Sequence, residues 1–162
     1  MTVETAIDPR ALRNAFGQFA TGVTVVTTVD VDGSLVGMTA NSFSSVSMEP
    51  PLVLFCPANH VASLPAFERA GHFVINVLSA EQQDLATQFA RPAEDKFAGV
   101  DYRLGRFGAP VLEGALATFE CTLYANHEAG DHQVMIGEVH EFTSQSEAGA
   151  LLFHGGKFAT KG

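Results

Sequence analysis

The apolar residues near the start of the chain recur at helical spacing and then give way to a β-branched run. Asp8 precedes a proline and predicts an N-cap, and Gly22 predicts the end of this helix. Residues 23–31 are rich in valine and threonine, which favours a strand. The Asp-Gly pair at 32–33 is typical of a hairpin turn, so the chain is expected to return as a second strand over Leu35 to Ser47.

The middle of the chain alternates apolar runs of strand length with short helical stretches. Leu52 to Cys56 and His72 to Leu78 are the two apolar runs, and each predicts a strand. Ser63 stands before a short helix that has a proline in its first turn. A Ser-x-x-Gln capping box at Ser79 predicts a further helix that reaches about Ala90.

The last part of the chain predicts two long strands after an irregular excursion over residues 91–112. Residues 114–126 and 132–143 predict strands joined by a glycine-containing turn, and residues 151–153 predict a short last strand. The chain as a whole gives about six or seven strands and three helices without regular alternation of strand and helix. Hairpins dominate this order, which predicts a mostly antiparallel sheet, closed into a barrel or packed as a sandwich.

Composition and charge limit the classes of partner. Hydrophobic residues make up 46% of the 162 residues and charged residues 17%, and no linker-like stretch divides them. One folded domain over residues 1–162 is therefore expected. The chain has 18 acidic and 9 basic residues and a formal charge of −9. A net negative surface disfavours nucleic acid and anionic membranes as partners.

Several motifs that would assign a cofactor or a compartment are missing from the sequence. It contains no G-x-G-x-x-G, no P-loop, no C-x-x-C, no H-E-x-x-H and no G-x-S-x-G. Neither a metal site nor a hydrolase is expected. No apolar run approaches the roughly 18 residues of a membrane span, and residues 1–13 lack the pattern of a secretory signal. Cys56 and Cys121 lie far apart, which favours a reduced cytoplasmic protein.

The stretch from Thr39 to Ser47 is unusual for a strand because hydroxyl groups and an amide occupy both faces. Such a strand can present hydrogen-bonding groups to a flat heterocycle that lies against it. It can equally be an edge strand that faces water. Composition alone leaves both interpretations open.

Three further features are candidates for binding an anionic or aromatic ligand. Ser63 marks a helix N-terminus, where phosphate can bind, although an ordinary N-cap explains it as well. Four of the nine basic residues fall within 16 positions and form either an anion-binding patch or a solvated loop: Arg91, Lys96, Arg103 and Arg106. His132 follows the turn residues Gly130 and Asp131, where its ring either meets a ligand or is merely exposed.

Six segments, in this order, resemble a known family. They are FATGVTVVTT (19–28), GMTANSFSSVSMEPPLVLFC (37–56), AGHFVINVL (70–78), DKFAG (95–99), AGDH (129–132) and IGEV (136–139). Together they resemble the short-chain flavin reductases, the reductase components of two-component flavin-dependent monooxygenases. The resemblance implies a six-stranded antiparallel FMN-binding split barrel of Greek-key type with flanking helices. It also implies a homodimer.

The resemblance implies an NAD(P)H:flavin oxidoreductase, with NADH or NADPH as the hydride donor and FMN or FAD as the acceptor. The reduced flavin would reach a partner monooxygenase by diffusion. The cofactors supply the chemistry, so no catalytic acid or base is expected, and His132 would position the nicotinamide. The residues implied to bind the cofactors are Thr39, Ala40, Asn41, Ser42, Ser47, Ala58, Asn59, Ser63, Lys96 and His132.

Two alternatives to this enzyme are a non-catalytic flavin carrier or redox sensor on the same barrel, and a ligand-binding barrel without flavin. A carrier would keep the features at Ser63 and Lys96 and would lack a nicotinamide slot. The turn formed by Gly130, Asp131 and His132 separates the enzyme from the carrier, and it is present here.

Overall fold

The computed structural model describes residues 5–160, which form a mainly β fold with three helices. The helices are α1 (Pro9–Phe16), α2 (Leu64–Ala70) and α3 (Gln83–Ala90), and a single 3-10 turn (Ala80–Gln82) leads into α3. The strands are β1 (Thr21–Gly22), β2 (Thr24–Val29), β3 (Leu35–Ala40), β4 (Ser44–Met48), β5 (Pro51–Phe55), β6 (His72–Val77), β7 (Tyr102–Leu104), β8 (Pro110–Leu112), β9 (Ala117–Ala129), β10 (His132–Ser144), β11 (Leu151–His154) and β12 (Lys157–Thr160).

Seven strands form the main sheet, in the order β3-β2-β6-β9-β10-β5-β4. Every neighbouring pair is antiparallel, as predicted. The strand count differs from that of the six-stranded split barrel that the resemblance implies, because the main sheet has seven strands, with β3 and β4 as its edges within residues 5–160. The extra strand arises where the single strand expected over Leu35 to Ser47 is interrupted after Ala40 and resumes at Ser44.

The short connection between β3 and β4 forces the main sheet to curl. Residues 41–43 join the two strands, although these are the opposite edges of the sheet. Four Cα steps span at most about 14 Å. Six inter-strand spacings in a flat sheet would separate the edges by about 29 Å. The sheet therefore bends until its edges approach each other, and we call the region where they meet, around residues 41–43, the seam.

Two smaller sheets complete the fold, and neither was fully expected. β7 and β8 form a hairpin within residues 91–112, which were predicted to be irregular. β11 lies between β1 and β12, so the predicted last strand is followed by another. Gly155 and Gly156 both have positive φ, as a tight hairpin turn between β11 and β12 requires.

The core consists of two main apolar clusters, one packed within the curled sheet and one beneath α3. In the first, the ring of Phe55 contacts that of Phe73 edge-on at 5.1 Å between centroids. In the second, Phe89 meets Phe97 in the same way at 4.9 Å. A Cβ at Gly37 would stand 2.7 Å from the Phe89 ring, so the close approach of α3 to β3 requires glycine there.

A fully buried asparagine fastens the β7–β8 hairpin to the outer face of the main sheet. The Asn76 side-chain amide donates to the Val25 carbonyl at 2.9 Å and to the Thr27 hydroxyl at 3.2 Å. Its side-chain oxygen accepts from the Leu112 amide at 2.9 Å. Val74 packs against Val111 in the same region. Asn76 thus pairs polar groups of β2 and β8 that would otherwise be buried without partners.

The first helix begins as predicted but ends early. The Asp8 carboxylate accepts from the Arg10 amide at 3.0 Å, which confirms the N-cap. The helix ends at Phe16, and the chain up to Gly22 forms a turn and β1. None of its residues is buried, and Phe16 is 69% exposed. Among residues 5–160, no helix is long and apolar enough to cross a membrane.

Candidate functional site

A cavity of about 250 Å³ brings together two residues that the sequence placed in the flavin site. It opens between β3, the start of α2 and residues 93–96, and we call it the Ser63–Lys96 cavity. Asp30, Arg69 and Glu94 also line it. Two cationic and two acidic side chains therefore share one recess with the Ser63 hydroxyl.

The Ser63 hydroxyl does not cap α2, contrary to the sequence-based expectation. Ser63 has φ −79° and ψ −17°, whereas a capping side chain requires an extended backbone at this position. Its side chain makes no capping hydrogen bond to α2. Ser63 therefore lines the cavity without capping the helix.

Lys96 joins the loop after α3 to the main sheet. Its ammonium donates to the Gly37 carbonyl at 3.2 Å and to the Phe89 carbonyl at 3.0 Å. Partial burial lowers the pKa of Lys96 below its usual value. The side chain is consequently held in one place at the wall of the cavity, between β3 and the end of α3.

Asn41, which directly follows β3, lines two further cavities. The larger, about 580 Å³, is lined by the aromatic rings of Phe16, Phe19 and Phe153 together with Asn41. The smaller, about 200 Å³, is lined by residues that include Thr39, Ala40 and Asn41.

Thr21 also lines the larger cavity, and its hydroxyl oxygen is buried and has no partner within residues 5–160. Aromatic walls with unpaired polar groups fit a flat heterocycle that carries hydrogen-bonding atoms.

Several hydrogen-bonding groups of the 39–47 segment are already engaged within the protein. The Thr39 hydroxyl donates to the Ala86 carbonyl at 2.6 Å and so holds α3 against β3. The Ser42 hydroxyl accepts from the Cys56 amide at 2.8 Å, across the seam. Ser47 lies in β4 opposite Leu52. Asn41 is the exposed member of the segment at the cavities.

The loop after β5 is joined to the turn between β9 and β10. The Asn59 amide donates to the Asp131 carbonyl at 2.9 Å, and its side chain donates to the Gly130 carbonyl at 3.2 Å. Ala58 and His132 form an isolated β-bridge. The structure thus brings together Ala58, Asn59 and His132, which are far apart in sequence and were all assigned to the site.

His132 is held by the residue before it. Its Nδ1 lies 2.7 Å from the Asp131 carboxylate, and its side chain is 47% exposed. This hydrogen bond lowers the pKa of Asp131, so the carboxylate is charged at neutral pH. A charged acceptor favours the tautomer with hydrogen on Nδ1, which leaves Nε2 for a ligand.

Two of the four clustered basic residues lie beside carboxylates, away from the Ser63–Lys96 cavity. Arg103 lies 4.0 Å from Glu120, and Arg106 lies 3.7 Å from Glu141, both along the β7–β8 segment. Of the four basic residues, Lys96 is the one that lines the Ser63–Lys96 cavity. Sequence reasoning missed Arg69, since a single arginine in the last turn of a short helix is an ordinary surface residue.

Comparison with known proteins assigns this arrangement to a family. Residues 16–162 match the model of the flavin reductase like domain. The chain belongs to the flavin reductase family. The family predicted from the sequence is thereby confirmed.

Solved and curated relatives are similar to this chain along most of its length. The Streptomyces globisporus NADH:FAD oxidoreductase SgcE6, solved with NAD and FAD fragments, has a TM-score of 0.89 and 41% identity, over 96% of this chain and 95% of that one. The reductase subunit HsaB of a Rhodococcus jostii (strain RHA1) flavin-dependent monooxygenase is 46% identical over 94% of this chain and 78% of its own length.

Two further relatives differ in how much of their length this chain covers. The FMN reductase (NADH) SmoA of Agrobacterium fabrum is 47% identical over 92% of this chain and 84% of its own length. A Rhizobium meliloti (strain 1021) relative is 50% identical over 99% of this chain, which spans 51% of that protein.

Proposed function

We propose that the protein is an NAD(P)H:flavin oxidoreductase that transfers a hydride from NADH or NADPH to FMN or FAD. One observation supports this above the others. The loop assigned to the flavin, around Ala58 and Asn59, is hydrogen-bonded to the turn that presents His132, the residue assigned to the nicotinamide. Hydride transfer requires the two rings to be stacked at roughly 3–3.5 Å, and adjacent binding elements meet that need.

The proposed flavin site follows β3 and the seam and ends at the Ser63–Lys96 cavity. The ring lies against the segment that includes Thr39, Ala40, Asn41, Ser42 and Ser47. The ribityl phosphate lies at Ser63 and Lys96, where a hydroxyl and an ammonium line one cavity. The aromatic walls beside Asn41 fit a flat ligand.

The residues of this chain bind and orient the flavin and the nicotinamide, while the bound cofactors supply the hydride chemistry. Backbone N–H groups along residues 40–47 stabilise negative charge that develops on the flavin edge. Asp131 fixes the His132 ring, which positions the nicotinamide. No proton has to be removed for hydride transfer, so this assignment needs no general base.

The function is tested by measuring NADH and NADPH oxidation with no flavin, riboflavin, FMN and FAD. We expect oxidation above the background of the free reactants only when flavin is present. If oxidation with FMN and with FAD does not exceed that background, the enzyme assignment is wrong and a non-catalytic carrier becomes the better account.

The reduced flavin is proposed to leave for a separate monooxygenase component. The relative HsaB, the reductase subunit of a flavin-dependent monooxygenase, supports this. Residues 1–162 are proposed to form a single domain, which the family match over residues 16–162 supports.

Cys56 and Cys121 are both free thiols, in keeping with a reduced, cytoplasmic location.

Replacing Ser63 by alanine is expected to weaken FMN binding and leave riboflavin binding nearly unchanged. The hydroxyl makes no capping bond, so the substitution does not remove a helix cap. One lost hydrogen bond to phosphate corresponds to about 1.5 kcal/mol, roughly tenfold in the dissociation constant. Titration of flavin fluorescence checks this, with Ser146→Ala as a control, because Ser146 is exposed and lies outside the proposed site. Equal losses for FMN and riboflavin would place the phosphate elsewhere.

The protein is also proposed to be a homodimer. Apolar side chains are exposed on α1 and on the edge strand β4, including Phe16, Val46 and Met48. Patches of this kind on a folded domain are typical of subunit interfaces. Sedimentation equilibrium is expected to give twice the 17.2 kDa chain mass. A monomer at micromolar concentration would contradict the homodimer.

A further inference from the structure

The Ser63–Lys96 cavity contains a second cation that the phosphate of FMN does not require. Arg69, in the last turn of α2, lines the same cavity as Ser63 and Lys96. Its guanidinium forms a two-point contact with the Asp30 carboxylate, at 2.6 Å and 3.2 Å. The cavity therefore has two cations. Lys96 is bound to backbone carbonyls, and Arg69 is bound to a side-chain carboxylate.

The two partners of this ion pair differ in mobility. Asp30 is 11% exposed and is fixed in the β2–β3 hairpin, where its carboxylate also accepts from the Val31 amide at 2.8 Å. The Arg69 side chain is 53% exposed and sits on flexible methylene groups. The nearly buried Asp30 carboxylate keeps the Val31 amide as a partner when Arg69 turns away. The exposed Arg69 side chain can therefore turn to another anion while Asp30 retains a hydrogen bond.

We propose that Arg69 binds the second phosphate of FAD and thereby makes the enzyme prefer FAD to FMN, an inference that rests on the proposed function. FMN has one phosphate, which Ser63 and Lys96 accommodate. In FAD a second phosphate follows directly through a bridging oxygen and lies in the same cavity. A guanidinium presents the same pair of donors to a phosphate as to a carboxylate, so Arg69 replaces Asp30 with an equivalent partner.

Asp30 competes with the second phosphate of FAD for Arg69, and this competition sets how strongly FAD is preferred to FMN. The contact with Arg69 lowers the pKa of Asp30 below its usual value, so this carboxylate remains charged at neutral pH. Glu94 also lines the cavity and opposes a doubly anionic ligand. Binding of the FAD pyrophosphate therefore requires a cation that can leave its carboxylate partner. Arg69, which is paired with Asp30, lies in this cavity and can do so.

The test compares dissociation constants for FAD, FMN and riboflavin, measured by flavin fluorescence, in matched variants. Arg69→Gln is expected to raise the dissociation constant for FAD about tenfold and to change the dissociation constant for FMN less than twofold. Asp30→Asn keeps the hydrogen-bond acceptor for the Val31 amide. It is expected to lower the dissociation constant for FAD about two- to fivefold. Arg106→Gln is the control, because Arg106 is equally exposed and also paired, away from this cavity.

The possible outcomes distinguish failure of the proposed role of Arg69 from failure of the proposed function. If wild-type protein binds neither flavin, the proposed function fails. If both flavins bind and Arg69→Gln weakens them equally, or changes neither, the role of Arg69 is wrong. If Arg69→Gln raises only the KM for NADH, the cavity holds the nicotinamide dinucleotide and the inference is overturned. Wild-type preference for FAD is also expected to fall with added salt, which screens a partly exposed contact.

Discussion

Replacing Asn76 by alanine is expected to lower the free energy of unfolding by about 3–5 kcal/mol, since it leaves buried polar groups unpaired. The Asn76 side chain is fully buried and hydrogen-bonds to the Val25 carbonyl, the Thr27 hydroxyl and the Leu112 amide. Thr27 has another partner in the Pro110 carbonyl, so the loss falls mainly on the other two groups. The cavity left by the missing amide adds to it.

Urea denaturation followed by circular dichroism measures this effect. Asn126 is exposed on β9, and Asn126→Ala is expected to change stability by less than about 0.5 kcal/mol. A loss below about 1 kcal/mol for Asn76→Ala would show that the β7–β8 hairpin does not depend on this residue.

Replacing His132 by alanine is expected to raise the KM for the nicotinamide and to leave the flavin dissociation constant nearly unchanged. The His132 ring is positioned by the Asp131 carboxylate at 2.7 Å and is assigned to nicotinamide binding. Losing one hydrogen bond or stacking contact costs about 1–2 kcal/mol in kcat/KM, roughly five- to thirtyfold. His132→Asn retains some hydrogen bonding and is expected to recover part of the loss.

Steady-state kinetics at saturating flavin separates the two possible roles of His132. His127 is exposed on β9 of the same hairpin, and His127→Ala serves as the control. The assignment to the nicotinamide is contradicted if His132→Ala loses flavin affinity and shows unchanged nicotinamide kinetics once flavin is saturating.

Much of the fold follows from local sequence signals, because those signals act over a few residues. The cap at Asp8, the capping box at Ser79 and the hairpin turn at Gly33 all occur where predicted. The β7–β8 hairpin was missed because its strands have only three residues each, and Asn76 secures it from a distant part of the chain. Such a long-range contact has no periodic signature in sequence.

The division of the 35–47 segment into β3 and β4 was also beyond local reasoning. Both halves have strand-like composition, and what separates them is the curl of a seven-stranded sheet. Sequence reasoning likewise named Ser63 and Lys96 from a family resemblance without locating them relative to each other. It could not find Arg69, whose significance lies in sharing their cavity and in its contact with Asp30.

The hydrogen bonds between Asn59 and the turn at Gly130 and Asp131 link two segments that are 71 positions apart. One bond joins two backbone groups and the other joins the Asn59 side chain to a backbone carbonyl, so the positions of the loop and the turn depend on each other. An insertion of even one residue between Pro57 and Ser63 would therefore be transmitted to His132, although the hairpin itself remained unaltered. Changes in the proposed flavin loop are consequently constrained by the turn that is proposed to place the nicotinamide.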